Sequence, residues 1–430
     1  MGLAARGVFG GYSAPTMESA ALRTLVLIVA IAALSPFISD IARKYTRLPG
    51  VVVEIVLGIL IGPHVLGWAH LDEVIEVLAE MGVVFLIFLA GFEIEPERVK
   101  GRPLKLAVTG WLVSLGLGIA VATGLHALDV TAGIRFIAIA LTTTAIGTLL
   151  PILGDAGVLP TRLGTHILAG GSMGEIGPII AISVALASDD PGHTTVLLLV
   201  FGGLAGGAAW LAMRPARPRA VELIGRTLHS SGQLGVRISV LLCVLLVWIA
   251  HRFELDILLG AFAAGMVARL FLVGHAATER SAEHAVGGEH HEEVQMRLEA
   301  LGFGFFIPLF FVVSGVHFDL AALGNATALA KLPMFLALFL VVRGLPALLY
   351  RKDLPRHDVM SLGLLQSAAL PLLVVITELG VETGQMRADN AAALVGAGLL
   401  SVVLFPIIGL GIHQRGLTEH GVASAPQPAP

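Results

Sequence analysis

Charged residues are scarce in this chain. Asp, Glu, Lys and Arg together make up only 13% of its 430 residues, against about 25% in soluble globular domains. Hydrophobic residues make up 56%, and the mean hydropathy is +0.87. Because a soluble core cannot hide this much apolar surface from water, the composition predicts a polytopic membrane protein whose surroundings are the lipid bilayer.

Cysteine and catalytic motifs are rare or missing as well. The one cysteine, Cys243, lies inside the apolar run VLLCVLLVW, which leaves neither a disulfide framework nor a thiol metal site. We find no glycine-lysine phosphate loop, no HExxH metal motif, no nucleophile elbow and no basic block for nucleic acid. The sequence therefore predicts neither an enzyme nor a cofactor, and no metal besides a transported cation.

Long apolar runs dominate what is present. Each is long enough to cross a hydrocarbon core of roughly 30 Å as a helix, and we count about 13 of them. Continuous runs such as 240–250 lack the alternating polarity of barrel strands. The predicted fold is all-α, with approximate spans at 22–40, 51–68, 76–94, 104–126, 133–152, 162–187, 193–213, 235–251, 255–273, 300–317, 326–350, 358–379 and 388–412.

The connections between spans alternate in charge. Basic residues cluster at 43–47, 98–102, 214–226 and 351–356, whereas the alternate connections hold Asp72, Glu73, Asp189, Asp190, Glu254, Asp256, Glu378 and Glu382. Lys and Arg concentrate in cytoplasmic loops. We therefore predict a multi-pass protein of the cell membrane, in a bacterium the inner membrane, with its amino terminus outside and its carboxyl terminus in the cytoplasm.

The predicted domain organisation follows from these spans. Residues 1–21 form an extracytoplasmic segment without the apolar region of a cleavable signal. A transmembrane domain covers 22–413, with a cytoplasmic loop at 274–299, and a disordered polar tail covers 414–430. Within the loop, the His/Glu run at 289–293 is either a metal or pH-sensing site or an ordinary solvated stretch of charge.

Two of the few charges inside the predicted spans stand out. Glu175 is midway along AGGSMGEIGPII, and Arg343 interrupts LALFLVVRGLPALLY. Ionisable residues at membrane depth are costly and commonly functional, so we predict that Glu175 binds an ion or a proton and that Arg343 pairs with a core carboxylate. The alternatives are a structural, hydrogen-bonded Glu175 and an Arg343 that extends towards the membrane surface.

Two spans look interrupted at similar depth. The fifth reads IALTTTAIGTLLP, where Thr142, Thr143, Thr144 and Thr148 surround Gly147, and the twelfth reads GLLQSAALPLLVV, where Gln366 and Ser367 precede Pro371. Broken helices at corresponding positions of two halves indicate a transporter binding site, although ordinary small-residue packing is the alternative. We predict inverted repeats in which spans five and six face spans twelve and thirteen.

Five segments resemble a known family. They are LPGVVVEIVLGILIGP, GVVFLIFLAGFEIEPERVK, ALTTTAIGTLLPILGDAGVL, ILLGAFAAGMVAR and FFIPLFFVVSGVHFDL, and they occur in the expected order along nearly the whole chain. In this order they are similar to the type-two branch of the monovalent cation/proton antiporters, which includes sodium/proton exchangers and potassium efflux systems.

The resemblance implies a core domain with two crossing discontinuous helices, a dimerisation domain and therefore a homodimer, and elevator-like alternating access. It places Glu175 at the shared cation and proton site, with Arg343 as the charge partner. We further predict that Thr143, Thr144 and Ser172 add oxygen ligands to this site. Where the family has Asp, Asn or Gln before the carboxylate, this chain has Gly174. With one embedded carboxylate, one-for-one electroneutral exchange is the simpler expectation.

The functional hypothesis is secondary antiport of Na+ or K+ against H+. Its first rival is a cation channel or uniporter on the same scaffold, which would move the cation without moving protons. Its second rival is a membrane sensor that no longer transports, which Gly174 and the His/Glu run would favour.

Overall fold

The chain is helical throughout the part that a computed structural model describes. That part comprises residues 19–43, 49–93, 101–186, 200–208, 210, 233–253, 257–279, 287–324 and 326–419, and it contains no β-strand. Among these residues nine helices are long and apolar enough to cross a bilayer, and two shorter apolar helices accompany them. Many large apolar side chains, such as Phe37, Leu241 and Trp248, are exposed, as lipid-facing residues are. These features confirm the prediction of an all-α polytopic membrane protein.

The helices are numbered here along the chain. They are α1 Ser19–Arg43, α2 Gly50–Ile61, α3 Glu73–Glu93, α4 Arg102–Ala127, α5 Ile134–Ala140, α6 Ile146–Asp155, α7 Arg162–Leu186, α8 Leu234–Arg252, α9 Ile257–Glu279, α10 Gly287–Leu301, α11 Ile307–His317, α12 Ala326–Phe339, α13 Arg356–Gln366, α14 Pro371–Glu382 and α15 Ala388–Glu419. A π-helical turn, Gly302–Phe306, joins α10 to α11, and another, Leu340–Gly344, joins α12 to a 3-10 segment, Leu345–Lys352.

Several predicted boundaries are wrong. The second span, predicted at 51–68, is helical only to Ile61, because Gly62 and Pro63 end the helix and 62–68 form turns. The predicted tail is helical to Glu419, and residues 420–430 lie outside the described part. Of the seventh span only 200–208 and 210 are described, and they are helical.

The predicted loop at 274–299 is largely helical where it is described. Helix α9 continues to Glu279, and α10 begins at Gly287, while 280–286 lie outside the described part. Helix α10 buries Val294 and Leu298, which are four residues apart and therefore share one face. The loop prediction rested on average polarity, which misses an amphipathic helix with a narrow apolar stripe.

Two groups of helices pack side by side. Helices α1, α2 and α3 pack with α8 to α11, and helices α4 to α7 pack with α12 to α15. In the first group α2 and α11 cross so closely that a Cβ on Gly58 would lie 2.2 Å from the Val312 carbonyl oxygen. Small residues of this kind let helix backbones approach in membranes, where lipid removes the hydrophobic drive between helices.

Two helices of the second group are interrupted, and the interruptions meet. Helix α5 ends at Ala140 and α6 begins at Ile146, while α13 ends at Gln366 and α14 begins at Pro371. The Ala145 amide donates to the Ala368 carbonyl oxygen at 2.7 Å. The predicted pair of crossing discontinuous helices is therefore confirmed, and the crossing lies in the second group of helices.

Candidate functional site

The first interruption carries three buried threonines. Thr142 donates its hydroxyl to the Ile139 carbonyl and Thr143 to the Ala140 carbonyl, so both cap the frayed end of α5. The Thr144 hydroxyl instead reaches the other broken helix and donates to the Gln366 carbonyl at 2.7 Å. The threonines that the sequence singles out therefore satisfy the backbone that the interruption exposes, and one of them ties the two interruptions together.

Arg343 is buried at this crossing. Its side chain is 2% exposed, which excludes the alternative that it extends to the membrane surface. The guanidinium donates to Thr144 Oγ1 through Nε at 2.9 Å and Nη2 at 2.8 Å, to the Gly170 carbonyl at 2.9 Å and to Ser114 Oγ at 3.4 Å. Arg343 therefore links α4, α7 and the first interruption. It lies in a π-helical turn, and such turns are often found at functional sites.

These contacts use up the Thr144 hydroxyl. A hydroxyl has one proton to donate and two lone pairs to accept with. Thr144 donates to Gln366 and accepts twice from Arg343. In this conformation its side chain holds the crossing together, and its role as a cation ligand stays a prediction.

Gly174 leaves the space that Arg343 fills. A Cβ at this position would lie 2.5 Å from Thr144 Oγ1 and 2.8 Å from Arg343 Nη2. The Thr144 amide also donates to the Gly174 carbonyl at 3.0 Å. Thr144 and Arg343 therefore occupy the space in which a side chain at position 174 would lie. A larger residue at this position would displace them.

Glu175 lies on α7 next to this contact and is partly buried. One turn earlier Gly171 packs against Ile146, the first residue of α6, since a Cβ there would lie 2.7 Å from the Ile146 side chain. Residues four apart share a helix face. Glu175 is therefore on the side of α7 that faces the start of α6, and its pairing with Arg343 stays a prediction.

The remaining predicted residues are placed around the crossing. Ser172 donates to the Leu168 carbonyl of its own helix, and Thr148 donates to the Ala145 carbonyl in the first turn of α6. Ser367 donates to the Gly363 carbonyl at the end of α13. The Gln366 side chain is buried, and a Cβ on Gly170 would lie 1.9 Å from its amide nitrogen.

Ser401 of α15 was not identified from the sequence. Its hydroxyl accepts from the Ala369 amide at 3.0 Å and donates to the Gly398 carbonyl at 2.7 Å. Ala369 lies in the second interruption, so its amide has no helical partner of its own. No local signal marks Ser401, because its role depends on a partner 32 residues away.

The second residue that sequence reasoning missed is Glu378. The sequence places it among the acidic connections, yet it lies inside α14 and is partly buried. It lines a cavity of about 340 Å³ between the two helix groups. Hydropathy alone could not separate Glu378 from Glu382, which is exposed one turn later.

The described residues were also searched for clusters that could bind a metal ion. Within the described residues there is no group of three or more His, Cys, Asp or Glu side chains that could hold a metal ion. Most side chains of the His/Glu run at 289–293 lie outside the described part, so its two interpretations stay open.

The fold and site together define a class. Two interrupted helices cross inside a multi-pass helical protein, with a buried Arg at the crossing and an embedded carboxylate beside it. Exposed helix ends at membrane depth are the setting in which secondary transporters bind ions.

Comparison with known proteins identifies the family. The model of the sodium/hydrogen exchanger transmembrane family matches residues 27–410. The chain therefore belongs to that family, which confirms the resemblance seen in its motifs and its identification as a transporter rather than an enzyme.

Individual relatives are distant. The putative Na+/H+ antiporter YjbQ of Bacillus subtilis is 23% identical, over 93% of this chain and 64% of its own length. The Na+/H+-K+ antiporter GerN of Bacillus cereus is 25% identical, over 83% of this chain and 88% of its own length. The solved structure of the sodium proton antiporter MjNhaP1 from Methanocaldococcus jannaschii has the same fold, with a TM-score of 0.62, 15% identity, and 94% and 100% of the two chains covered.

Proposed function

We propose that this protein exchanges a monovalent cation, Na+ or K+, for H+ across the cell membrane, and that Glu175 is the shared site. The observation that carries the proposal is the position of this carboxylate, partly buried beside the crossing of two broken helices. An ionised carboxylate attracts a cation, and protonation removes that attraction. Potassium is included because GerN, a relative, is named for both ions.

We propose that Arg343 is the charge partner of Glu175 and that it also supports the crossing. Its four hydrogen bonds hold Thr144, Ser114 and the Gly170 carbonyl. A positive charge near Glu175 would stabilise the empty, ionised carboxylate until a cation or a proton binds, and coupled exchange requires that the site cross the membrane only with one of the two bound. The bound cation and the proton then compete for one carboxylate, which gives one-for-one exchange.

The transport step that we propose is elevator-like alternating access. The group of α4 to α7 and α12 to α15 would carry the site, while the group of α1 to α3 and α8 to α11 would stay fixed and form a homodimer. The division of the described helices into two packed groups, with the broken helices in only one, supports this assignment.

A reconstituted assay tests the proposal. With the purified protein in liposomes carrying an imposed pH gradient, Na+, K+ or Li+ should dissipate the gradient as reported by an internal pH dye. Glu175→Gln should abolish cation-coupled proton flux, whereas Glu175→Asp, which keeps the carboxylate, should retain measurable exchange. Normal flux in Glu175→Gln would refute the assignment.

The same assay separates the rival functions. A channel or uniporter would pass the cation down its gradient without moving protons, and an inactive sensor would do neither. The match to the sodium/hydrogen exchanger family supports exchange over both rivals.

A further inference from the structure

A cavity separates the two helix groups beside α14. It has a volume of about 340 Å³ and lies between α11 of one group and α14 and α15 of the other, with Ile55 of α2 also lining it. Its polar lining includes Ser314, Thr377 and Glu378. A cavity of this size holds several water molecules or a partly hydrated ion.

Glu378 is unusual among the lining residues because its charge is uncompensated. Its neighbours are the Ser314 hydroxyl and the Glu382 carboxylate, and it forms no ion pair with a Lys, Arg or His among the described residues. Embedded acids generally pair with a base or line an aqueous pathway. Glu378 therefore either carries a proton or, when ionised, needs a positive partner that the described chain does not supply.

Ser314 gives an independent indication of a ligand. It is 7% exposed, and its hydroxyl has no hydrogen-bond partner. The Glu378 carboxylate lies beside that hydroxyl without reaching hydrogen-bonding geometry. Buried hydroxyls normally find a partner, and a cation between the two groups would accept oxygen ligands from both.

The rim of the cavity carries charges that already have partners. His317 lies 3.8 Å from Glu76, and Asp319 lies 3.5 Å from His64. Glu378 therefore supplies the uncompensated charge of the interior, and the rim adds the exposed carboxylate of Glu382. When these carboxylates are ionised, the cavity attracts cations.

We propose that this cavity is a second cation station on the transport path, in which the Glu378 carboxylate and the Ser314 hydroxyl hold a monovalent cation. The inference rests on the proposed exchange function. Glu378 is seven residues beyond Pro371 on α14, which is about 10 Å along the helix from the second interruption. The station therefore connects the crossing with the face of the protein at which α14 ends.

Carbodiimide labelling tests the station without a transport assay. Dicyclohexylcarbodiimide is an apolar reagent that modifies protonated carboxyl groups shielded from bulk water, and peptide mass spectrometry locates the product. In purified protein carrying Glu175→Gln, Glu378 should be labelled in choline chloride and protected by NaCl or KCl at equal ionic strength. Glu382 on the same helix is the matched control and should show no cation protection.

Ser314→Ala supplies the second measurement. Loss of one hydroxyl ligand should raise the cation concentration for half protection by about tenfold, the change expected for one lost interaction with a charged group. Equal labelling of Glu378 in all salts, no labelling in choline, protection by Ca2+ but not by Na+ or K+, or an unchanged half-protection concentration would overturn the station.

The exchange site and the second cation station can be refuted independently of each other. If Glu175→Gln transports normally, the exchange site is misassigned, whereas cation protection of Glu378 would still report binding in the cavity. If Glu175→Gln abolishes exchange and Glu378 shows no protection, exchange stands and the station is refuted.

Discussion

At the scale of single residues, Gly174 offers a direct test of the packing around Arg343. Replacing glycine by alanine inside a helix normally stabilises it by about 0.5–1 kcal/mol. Gly174→Ala should instead destabilise by about 1–3 kcal/mol, because its Cβ would press on Thr144 and Arg343. A thermal-unfolding measurement in detergent and the exchange assay should both show the loss.

Gly116 is the matched control for this substitution. It lies inside α4, and a Cβ there would meet no atom within 4 Å. Gly116→Ala should therefore leave transport near the wild-type value and keep the unfolding temperature the same or raise it slightly. If the two variants behave alike, the close fit between Gly174 and Arg343 is not important for the site.

Single charges were the most predictable part of the site. Glu175 and Arg343 are visible in the sequence because charges inside apolar runs are costly and therefore rare. The contacts of Arg343 with Ser114 and Gly170 could not be predicted, since they depend on which helices touch. Glu378 was missed for the same reason, because the sequence does not show how far α14 continues into the protein.

At the scale of helices, Ser401 tests how the second interruption is stabilised. Removing its hydroxyl leaves the buried Ala369 amide without its partner, which costs about 1–3 kcal/mol. Ser401→Ala should therefore lower the unfolding temperature measured in detergent. It should also reduce exchange, since the interruption would be less well ordered.

Ser239→Ala is the control for that variant. Ser239 is buried as well, but its hydroxyl donates only to the Gly235 carbonyl of its own helix. The Gly235 carbonyl keeps its backbone hydrogen bond within the helix, so Ser239→Ala should lower the stability less than Ser401→Ala does. Equal destabilisation by the two variants would contradict a special role for Ser401.

Interrupted helices could be predicted, whereas helix lengths could not. Clusters of Thr, or of Gln and Ser before Pro, mark places where side chains can replace backbone hydrogen bonds, as Thr144 and Ser367 do. Helix α10 and the end of α15 were missed because polar helical segments lack the apolar average that identifies a span. The two π-helical turns have no local sequence signature that we recognise.

At the scale of the whole molecule, the cavity between the helix groups allows a test of elevator movement. Ile55 of α2 and Val374 of α14 line it from opposite groups. In a Cys243→Ser background, cysteines at these two positions joined by a flexible bis-maleimide should arrest exchange, because the groups could no longer slide. The measurement is the rate of gradient dissipation before and after cross-linking.

A pair inside one group is the control for cross-linking. Arg102 and Asp353 are joined at 2.7 Å in the second group, so cysteines there should cross-link without arresting exchange. Continued transport after complete cross-linking of positions 55 and 374 would show that the two groups do not need to move past each other.

The central claim is that a cation and a proton compete for Glu175, and the pH dependence of the apparent KM for Na+ tests it most directly. Below the pH at which the carboxyl group ionises, each further unit of acidification should raise the KM by about tenfold, while the maximal rate at saturating Na+ stays constant, because protons and Na+ bind one site by mass action. Initial rates in proteoliposomes at several internal and external pH values supply the measurement. A KM that stays constant across that range, with a maximal rate that falls instead, would contradict a shared site.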